Sequence, residues 1–256
     1  MKTKLNTPME IEVSLVFPAY NERENLENTV RNAMKALEKI ADSYEILIAE
    51  DGSTDGTDKI ASDLSKEYPF ITHIHSDKRL GRGLALKNAF SKTKGKILVY
   101  MDVDLATNIE HLRALIESVR KGYDFATGSR MHPKSKVTRS RSRQITSKSY
   151  NLMARSFLGS KVADHQCGFK ASRRDALLSI LDDVKAIHWF WDTEMLVRAS
   201  RKGYRIKEIP VEWTQKGRTK VKLMKDSFEM GSQILKLWWE IRKQPTEPNT
   251  FKTLSE

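Results

Sequence analysis

Cysteine is nearly absent from this sequence, which has only Cys167 in 256 residues. A single cysteine excludes an intrachain disulfide and is typical of a protein kept in a reducing compartment. Long apolar runs are missing as well, because no segment approaches the roughly 20 apolar residues of a membrane-spanning helix. The first ten residues, MKTKLNTPME, contain no apolar signal core. We therefore expect a protein that does not span the membrane.

Acidic residues are outnumbered by basic ones, 33 against 45, and the formal net charge is +12. Such an excess favours an anionic partner, and nucleotide diphosphates, lipid phosphates, an anionic membrane surface and nucleic acid all qualify. Seven of the basic residues, and no acid, lie in the Ser- and Thr-rich segment 130–148. This composition predicts a mobile basic loop rather than a core element.

Short β-rich runs alternate with helical periodicities through the first half of the chain. This order predicts α/β units and a mostly parallel, doubly wound sheet, Rossmann-like and flanked by helices. The predicted strands are 11–17, 44–49, 70–75, 96–101, 123–127 and 205–213. The predicted helices are 22–40, 57–64, 83–90, 109–119, 145–158, 173–181, 192–201 and 221–243.

Two acids, Asp102 and Asp104, directly follow the predicted strand 96–101. The carboxyl end of a strand in an open α/β sheet is where ligands bind, and two carboxylates there can hold a hard divalent cation and through it a diphosphate. An isolated Asp-x-Asp is more often a pair of solvated acids. The prediction of a site therefore depends on the neighbouring loops.

Polar side chains also follow the first two predicted strands. Asp51 can accept a hydrogen bond from a nucleobase N–H, Tyr20 can stack on the base, and Glu22 can accept from a ribose hydroxyl. The stretch 51–54 is also a good turn and helix cap, so capping is the alternative for one of its side chains. Arg82, between two glycines before a predicted helix, suits a diphosphate. Neither the Walker pattern nor the dinucleotide-binding glycine pattern occurs here.

Seven motifs in a fixed order resemble one enzyme family. They are PAYNE at 18–22, EDGSTDGT at 50–57, GRG at 81–83, MDVDLAT at 101–107, GSR at 128–130, DHQCGFK at 164–170 and PVEW at 210–213. Together they resemble the inverting family 2 glycosyltransferases over residues 11–235, and most closely the branch of dolichyl-phosphate glucosyltransferases and mannose synthases. Two positions depart from that branch: His165 replaces a threonine, and Ala106 replaces the glutamine of many mannose synthases.

The resemblance implies an A-type glycosyltransferase fold that binds a UDP- or GDP-linked sugar with Mg²⁺ or Mn²⁺. By position, the base and ribose would be held by Pro18, Tyr20, Glu22 and Asp51, and the diphosphate by Arg82. Asp102 would hold the ribose or sugar, and Asp102 and Asp104 together would hold the metal. The residues that would bind the acceptor phosphate are Arg130, Arg143, Ser147, Arg218 and Lys220. Asp104 and Arg130 are thereby predicted to take part in catalysis, and Asp192 is predicted either to act chemically or only to bind the sugar.

The predicted reaction is transfer of a hexose or N-acetylhexosamine to a polyprenyl (dolichyl) phosphate at the cytoplasmic face of a membrane. A phosphate monoester needs no general base, because its second pKa is about 6. The alternative is the same fold glycosylating a hydroxyl acceptor, which requires a base such as Asp192. Nucleic-acid binding is disfavoured, because four acids line the predicted cleft. The oligomeric state is not predicted.

We divide the chain into a flexible leader (1–10), a catalytic domain (11–216), an amphipathic interfacial helix (217–243) and a disordered tail (244–256). The helix has a broad apolar arc, which fits binding to a membrane surface as well as packing on the catalytic domain. Membrane attachment would come from this helix, the helix 145–158 and the basic segment, or from a partner protein. The basic residues Lys134, Lys136, Arg139 and Arg141 are interpreted as solvated charges or as charges loosely attracted to anionic headgroups. No metal site is assigned to His73, His75 or His111.

Overall fold

The computed structural model describes residues 10–216 and 223–243 of the chain. The strands in these residues are β1 (Val13–Ala19), β2 (Tyr44–Glu50), β3 (Ile71–Ile74), β4 (Ile97–Met101), β5 (Phe125–Ser129), β6 (Lys136–Thr138), β7 (Phe169–Arg173), β8 (Ile206–Pro210) and β9 (Glu212–Thr214). The α-helices are α1 (Leu26–Leu37), α2 (Thr57–Glu67), α3 (Arg82–Phe90), α4 (Leu112–Arg120), α5 (Arg141–Leu158), α6 (Arg174–Leu181), α7 (Trp191–Arg201) and α8 (Leu223–Lys243).

Seven strands form one sheet in the order β3, β2, β1, β4, β7, β5, β8. The pairs among β1, β2, β3 and β4 are parallel, as is the pair of β5 and β8, whereas β7 runs antiparallel to both β4 and β5. The predicted mostly parallel α/β sheet is confirmed. Strand β7 was missed, because its sequence FKASR has no apolar run and buries a lysine.

Helices cover both faces of the sheet. In β1, Val13, Leu15 and Phe17 pack in a core cluster with α1, α2 and α4, while Val16 faces the opposite cluster with α3, α6 and α7. Successive strand residues point to opposite faces, so a strand covered on both sides is mostly apolar. This is why the first, second and fourth strands were recognisable as continuous apolar runs. The buried polar exceptions Ser14 and Glu45 hydrogen-bond to each other.

The basic segment 130–148 is more ordered than predicted. Residues 136–138 form β6, which pairs with β9 in a small parallel sheet, and α5 begins at Arg141, four residues before its predicted start. The prediction of an irregular loop is therefore wrong for these residues. The predicted strand 205–213 is likewise two strands, because β8 and β9 belong to different sheets. Such short strands are defined by their partners, which a local pattern does not show.

Helix α8 packs on the rest of the domain through one stripe. Met230, Ile234, Leu237 and Ile241 are buried in a cluster with α5 and α7, whereas Trp239 is 59% exposed. Packing thus explains this stripe of the predicted apolar arc, whereas Leu235 on the neighbouring stripe is 50% exposed. Among the described residues, no helix is both long and apolar enough to cross a bilayer. The predicted leader and tail lie outside the described residues, apart from Glu10.

A buried hydrogen-bond network joins α5 to the segment before β7. The Nδ1 atom of His165 lies 2.9 Å from Oδ1 of Asn151, and its Nε2 atom lies 2.8 Å from Oγ of Ser160. The Asn151 amide donates to the Ser147 carbonyl, so its oxygen faces the histidine, which therefore donates from Nδ1 and accepts at Nε2. Burial lowers the pKa of His165 to about 4. The imidazole is accordingly neutral in the folded protein at neutral pH.

We predict that His165→Thr removes part of the acid sensitivity of the fold. Between the unfolded pKa of 6.5 and the folded value of about 4, the unfolded chain binds the extra proton. As the pH is lowered across this window, the free energy of unfolding should therefore decrease by up to about 3 kcal/mol. Urea unfolding at a series of pH values should show the wild type losing its advantage over the variant as pH falls. His132→Gln should retain the wild-type slope, and a pH-independent gap between wild type and His165→Thr would contradict the prediction.

Candidate active site

The predicted site residues meet where β1, β2 and β4 end. The register aligns Ala19 with Glu50, and the Asp51 N–H donates to the Ala19 carbonyl at 2.9 Å. Tyr20 and Asp51 therefore leave the sheet side by side. Pro18 lies within β1, and Asp102 follows β4 directly. The structure thus brings the loops of the first, second and fourth strands to one edge, as their order predicted.

The Asp51 carboxylate is buried and accepts hydrogen bonds from the backbone N–H groups of Leu80 (2.6 Å) and Gly81 (3.0 Å). Burial raises the pKa of Asp51, and these two donors partly offset the effect. The guanidinium of Arg79 lies 3.9 Å from the centroid of the Tyr20 ring. The segment before α3 is therefore closed against the loops that carry Tyr20 and Asp51.

Arg82 joins two acids that are far apart in sequence. Its Nη1 lies 2.6 Å from Oδ2 of Asp192, and its Nη2 lies 2.8 Å from Oδ1 of Asp102. The side chain is 12% exposed, and Tyr100 and Trp189 lie beside its guanidinium, with ring centroids at 5.4 and 5.8 Å. Burial alone would lower the pKa of Arg82, but the charges of the two acids outweigh it and hold the pKa well above its usual value.

Asp192 lies inside a cage of donors at the start of α7. Besides Arg82, it accepts from Nζ of Lys170 at 2.9 Å and from the Tyr100 hydroxyl. Burial opposes ionisation, but the charges of Arg82 and Lys170 prevail and lower the pKa of Asp192. A carboxylate so stabilised and so enclosed is a poor proton acceptor. Lys170, on the unpredicted strand β7, was not recognised as a site residue.

Asp102 and Asp104 lie in one cleft. The pKa of Asp104 is raised to about 6, mainly by burial and secondly by the negative charge of Asp102. The Ala106 N–H donates to Asp104 at 2.9 Å and partly offsets this increase. Glu22 lies close enough to raise this pKa further, so three acids from two loops converge. Other residues that line the cleft are Met101, Thr107, Phe169 and Trp213. Clustered carboxylate oxygens that repel one another fit Mg²⁺ or Mn²⁺.

Gly168 makes room for Asp102. Its carbonyl accepts the Asp102 N–H at 2.9 Å, and a Cβ at this position would overlap the Asp102 carboxylate. The glycine of the DHQCGFK motif is therefore needed because any larger residue would collide with Asp102 of the MDVDLAT motif. Next to it, burial raises the pKa of Cys167 to about 11, which makes an unreactive thiol.

The predicted acceptor-phosphate residues are only partly brought together. Arg130 is largely buried, with 11% of its side chain exposed, and forms a bidentate pair with Asp164, whose oxygens lie 2.7 and 2.8 Å from Nε and Nη2. Burial opposes the charge on Asp164, but Arg130 holds its pKa well below the usual range. Ser147 and Arg143 lie on α5, and the Ser147 hydroxyl is buried with no hydrogen-bond partner among the described residues. Arg218 and Lys220 lie outside the described residues.

Arg139, interpreted above as a solvated charge, is a partly buried residue, so that interpretation is wrong. Its Nε is buried and has no hydrogen-bond partner in the described part of the chain. Burial, and next the positive charge of Arg130, lowers the pKa of Arg139. Because the guanidiniums of Arg130 and Arg139 repel each other and are largely or partly shielded from solvent, an anion bound beside them would be stabilised.

Comparison with known proteins identifies the family to which this chain belongs. Residues 14–181 match the model of glycosyl transferase family 2. The chain belongs to this family. It is 52% identical over 242 residues to glycosyltransferase AglD of Haloferax volcanii, and 30% identical over 246 residues to the dolichyl-phosphate beta-glucosyltransferase of Saccharomyces cerevisiae. These matches cover 93% and 88% of this chain, but 39% and 74% of the relatives, so the chain spans about two fifths of AglD.

Solved structures confirm the fold. Glucosyl-3-phosphoglycerate synthase from Mycobacterium tuberculosis, in complex with Mn²⁺, UDP and glucosyl-3-phosphoglycerate, superposes with a TM-score of 0.64 over 92% of this chain and 81% of that one, at 21% identity. A complex of the same enzyme with Mg²⁺ and UDP gives a TM-score of 0.63 over 92% of this chain and 80% of that one, at 20% identity. The predicted A-type glycosyltransferase fold and the predicted family are thus confirmed.

We predict that Gly168→Ala weakens divalent-metal binding at the Asp102 and Asp104 cleft by more than about tenfold, or 1.4 kcal/mol. The added methyl group must push the Asp102 carboxylate out of its place beside Arg82. Calorimetric titration with Mn²⁺ measures the effect. Gly231→Ala, where a Cβ would meet only the end of the Met153 side chain at 3.8 Å, is the matched control. Equal Mn²⁺ affinity in both variants would show that Gly168 does not position this carboxylate.

Proposed function

We propose that this chain transfers a hexose or N-acetylhexosamine, with inversion, from a UDP- or GDP-linked sugar to a polyprenyl (dolichyl) phosphate. Its relatives in yeast and in Trichomonas vaginalis, at 30% and 31% identity, are dolichyl-phosphate beta-glucosyltransferases. The structurally similar synthase binds UDP with Mn²⁺ or Mg²⁺. A family 2 domain with these relatives and this cleft supports a metal-dependent transferase.

One observation favours a phosphate acceptor over a hydroxyl acceptor. Asp192 is the candidate base, and it is 3% exposed and held by Arg82, Lys170 and Tyr100. A hydroxyl nucleophile needs a base, whereas a phosphate monoester, with a second pKa of about 6, is already ionised. Asp192 then positions Arg82 and Lys170 rather than accepting a proton.

The donor half of the proposed reaction uses the acids and Arg82. Asp102 and Asp104 would hold the Mg²⁺ or Mn²⁺ ion, which neutralises charge on the departing nucleoside diphosphate. Arg82 is fixed beside Asp102 and supplies a second positive charge without having to reorganise. Asp51, Tyr20, Glu22 and Pro18 would form the base and ribose side of the pocket.

The acceptor half needs cations rather than a base. Arg130 is held in place by Asp164, and the electrostatically coupled Arg139 lies close to both. Arg139 Nε and the Ser147 hydroxyl are buried atoms that lack hydrogen-bond partners among the described residues, and each is able to donate a hydrogen bond to a phosphate oxygen. We therefore add Arg139 to the proposed phosphate ligands, beside Arg130, Arg143 and Ser147. Arg218 and Lys220 remain proposals from the resemblance.

The test is a scan of nucleotide sugars with Mn²⁺ against a short polyprenyl phosphate and, in parallel, the same polyprenol without its phosphate. We expect transfer to the phosphate only, and a loss of more than about 100-fold in rate for Asp104→Asn, which is at least 2.7 kcal/mol of transition-state stabilisation. Transfer to the polyprenol or to a soluble sugar, combined with a rate collapse in Asp192→Asn, would establish the hydroxyl-transfer alternative instead.

Loss of activity in Asp104→Asn should not reflect unfolding. The folded protein raises the pKa of Asp104 to about 6, so its ionised form costs stability at pH above the ordinary value of 3.8. The neutral amide removes this cost, and the variant should melt at the wild-type temperature or above. A variant with full activity would refute the assignment of Asp104 to the metal.

We further propose that α5 and α8 rest on the cytoplasmic face of an anionic membrane. Among the described residues, most of the exposed large apolar side chains lie on these two helices: Ile145, Leu152, Met153, Phe157, Leu235 and Trp239. They alternate with exposed cations, namely Arg141, Lys148, Arg155, Lys236, Arg242 and Lys243. Apolar groups among basic ones are typical of helices that lie in the bilayer interface.

The triple variant Ile145→Ser, Leu152→Ser, Trp239→Ser should lose binding to vesicles that contain anionic phosphatidylglycerol. These side chains are 66, 63 and 59% exposed, so the fold should not need them. Vesicle sedimentation at low and high salt measures the effect, because the contribution of the cations is screened by salt. Ile187→Ser, at a 47% exposed position outside the two helices, is the control and should bind like wild type. Undiminished binding of the triple variant would contradict the proposed surface.

A further inference from the structure

Three metal-ligating side chains lie together at the outer edge of the sheet, apart from the Asp102 and Asp104 cleft. Glu50, His73 and His75 each offer one ligand atom, and these atoms all lie within 4.8 Å of one another. Glu50 ends β2, whereas the histidines belong to the edge strand β3 and the residue after it. Neither the predicted nor the proposed function uses any of them.

The strand register explains why they meet. Strands β2 and β3 are parallel, with Ile48 beside His73 and Ala49 beside Ile74. Residues two apart in a strand face the same side, so both imidazoles lie on the face to which Glu50 points. The sequence gives only a His-x-His pair, and the third ligand comes from the neighbouring strand. No metal site was therefore assigned to these histidines from the sequence.

The hydrogen bonds of this cluster leave one nitrogen unused. The Glu50 side chain is fully buried, with Oε1 accepting from the Ser53 N–H at 2.5 Å and Oε2 lying 2.6 Å from Nδ1 of His75. Nε2 of His73 is buried and has no hydrogen-bond partner among the described residues. A buried polar atom without a partner costs about 1–3 kcal/mol, so such an atom calls for a ligand.

His75 is also oriented as a metal ligand. Its Nε2 lies 3.3 Å from an Asp77 carboxylate oxygen, while its Nδ1 points at Glu50. A carboxylate on the far nitrogen of a ligating histidine fixes the ring and strengthens the other nitrogen as a donor. Asp77 is almost fully exposed, so solvent can reach this side of the cluster.

We propose that Glu50, His73 and His75 bind Zn²⁺. Two imidazoles and one carboxylate are a common zinc ligand set with a fourth position left for water. Nitrogen donors disfavour Mg²⁺, which prefers oxygen, so this site and the carboxylate cleft select different ions. Because the three ligand atoms lie within 4.8 Å of one another, one ion between them would replace the present contact between His75 and Glu50.

The ion would act on the neighbouring loop. Glu50 precedes Asp51 and holds the Ser53 N–H, and the Ser53 hydroxyl accepts from the Asn21 N–H at 3.0 Å. Zinc on Glu50 would therefore tie the edge strand β3 to the two loops that carry Asp51 and Tyr20. This is a structural role, and it does not depend on the identity of the sugar or of the acceptor.

The experiment is a calorimetric titration of the full chain with Zn²⁺ in the Asp104→Asn background, which disables the carboxylate cleft. We expect one equivalent of Zn²⁺ to bind, and bound Co²⁺ to give the visible absorption of a four- or five-coordinate ion. His73→Gln and His75→Gln should each weaken Zn²⁺ binding by more than tenfold. The His75 side chain is 46% exposed, so its variant should fold normally. His132→Gln removes a histidine elsewhere on the chain and should bind as the background does.

Two results would overturn the proposal. One is an Asp104→Asn protein that binds no Zn²⁺. The other is a His75→Gln variant that is folded by circular dichroism and binds Zn²⁺ as tightly as the background. Because the readout is metal binding rather than transfer, failure here leaves the proposed function untouched, and failure of the transferase assay leaves the zinc site untouched.

Discussion

One buried guanidinium, that of Arg82, holds the centre of this molecule together. It balances Asp102 at the end of β4 and Asp192 at the start of α7, two acids that are 90 residues apart in the chain. Removing either acid would leave the Arg82 guanidinium, whose side chain is only 12% exposed, with one acidic partner instead of two, which is more costly than breaking a surface ion pair. Through Asp192 it is also linked to Lys170 and to the Tyr100 hydroxyl, which both hydrogen-bond to that carboxylate.

The sequence predicts the parts of the fold and site that are encoded locally. Strands β1, β2 and β4 are apolar on both faces, and Asp51, Asp102 and Asp104 directly follow strands, so all were recognised. Residues defined by distant neighbours were missed. Lys170 lies in a strand without an apolar run, and Arg139 is partly buried beside Arg130. His73 in β3 and His75 directly after it meet Glu50 only across a strand pair. Pairing, not periodicity, supplies that information.

The basic residues behind the net charge of +12 are of two kinds. Buried cations such as Arg82, Arg130 and Lys170 are matched by buried acids and contribute little to the field outside the protein. The exposed cations on α5 and α8 form no ion pair with another described residue, and they lie among exposed apolar side chains. The overall composition, which suggested any anionic partner, thus divides into a ligand pocket and a surface. Only the surface part should respond strongly to ionic strength.

Strand β7 is antiparallel to both of its neighbours, β4 and β5, and this direction determines which segments of the chain meet at the cleft. Because β7 is antiparallel, the segment before it, 163–168, arrives at the same edge of the sheet as the residues after β4. The stretch from the end of β5 through α5 therefore contributes one wall of the cleft where it reaches Gly168 and Phe169, while residues 101–107 at and after the end of β4 form the other. Exchange of that stretch between relatives, by recombination or by design, could replace one wall while preserving the opposite one.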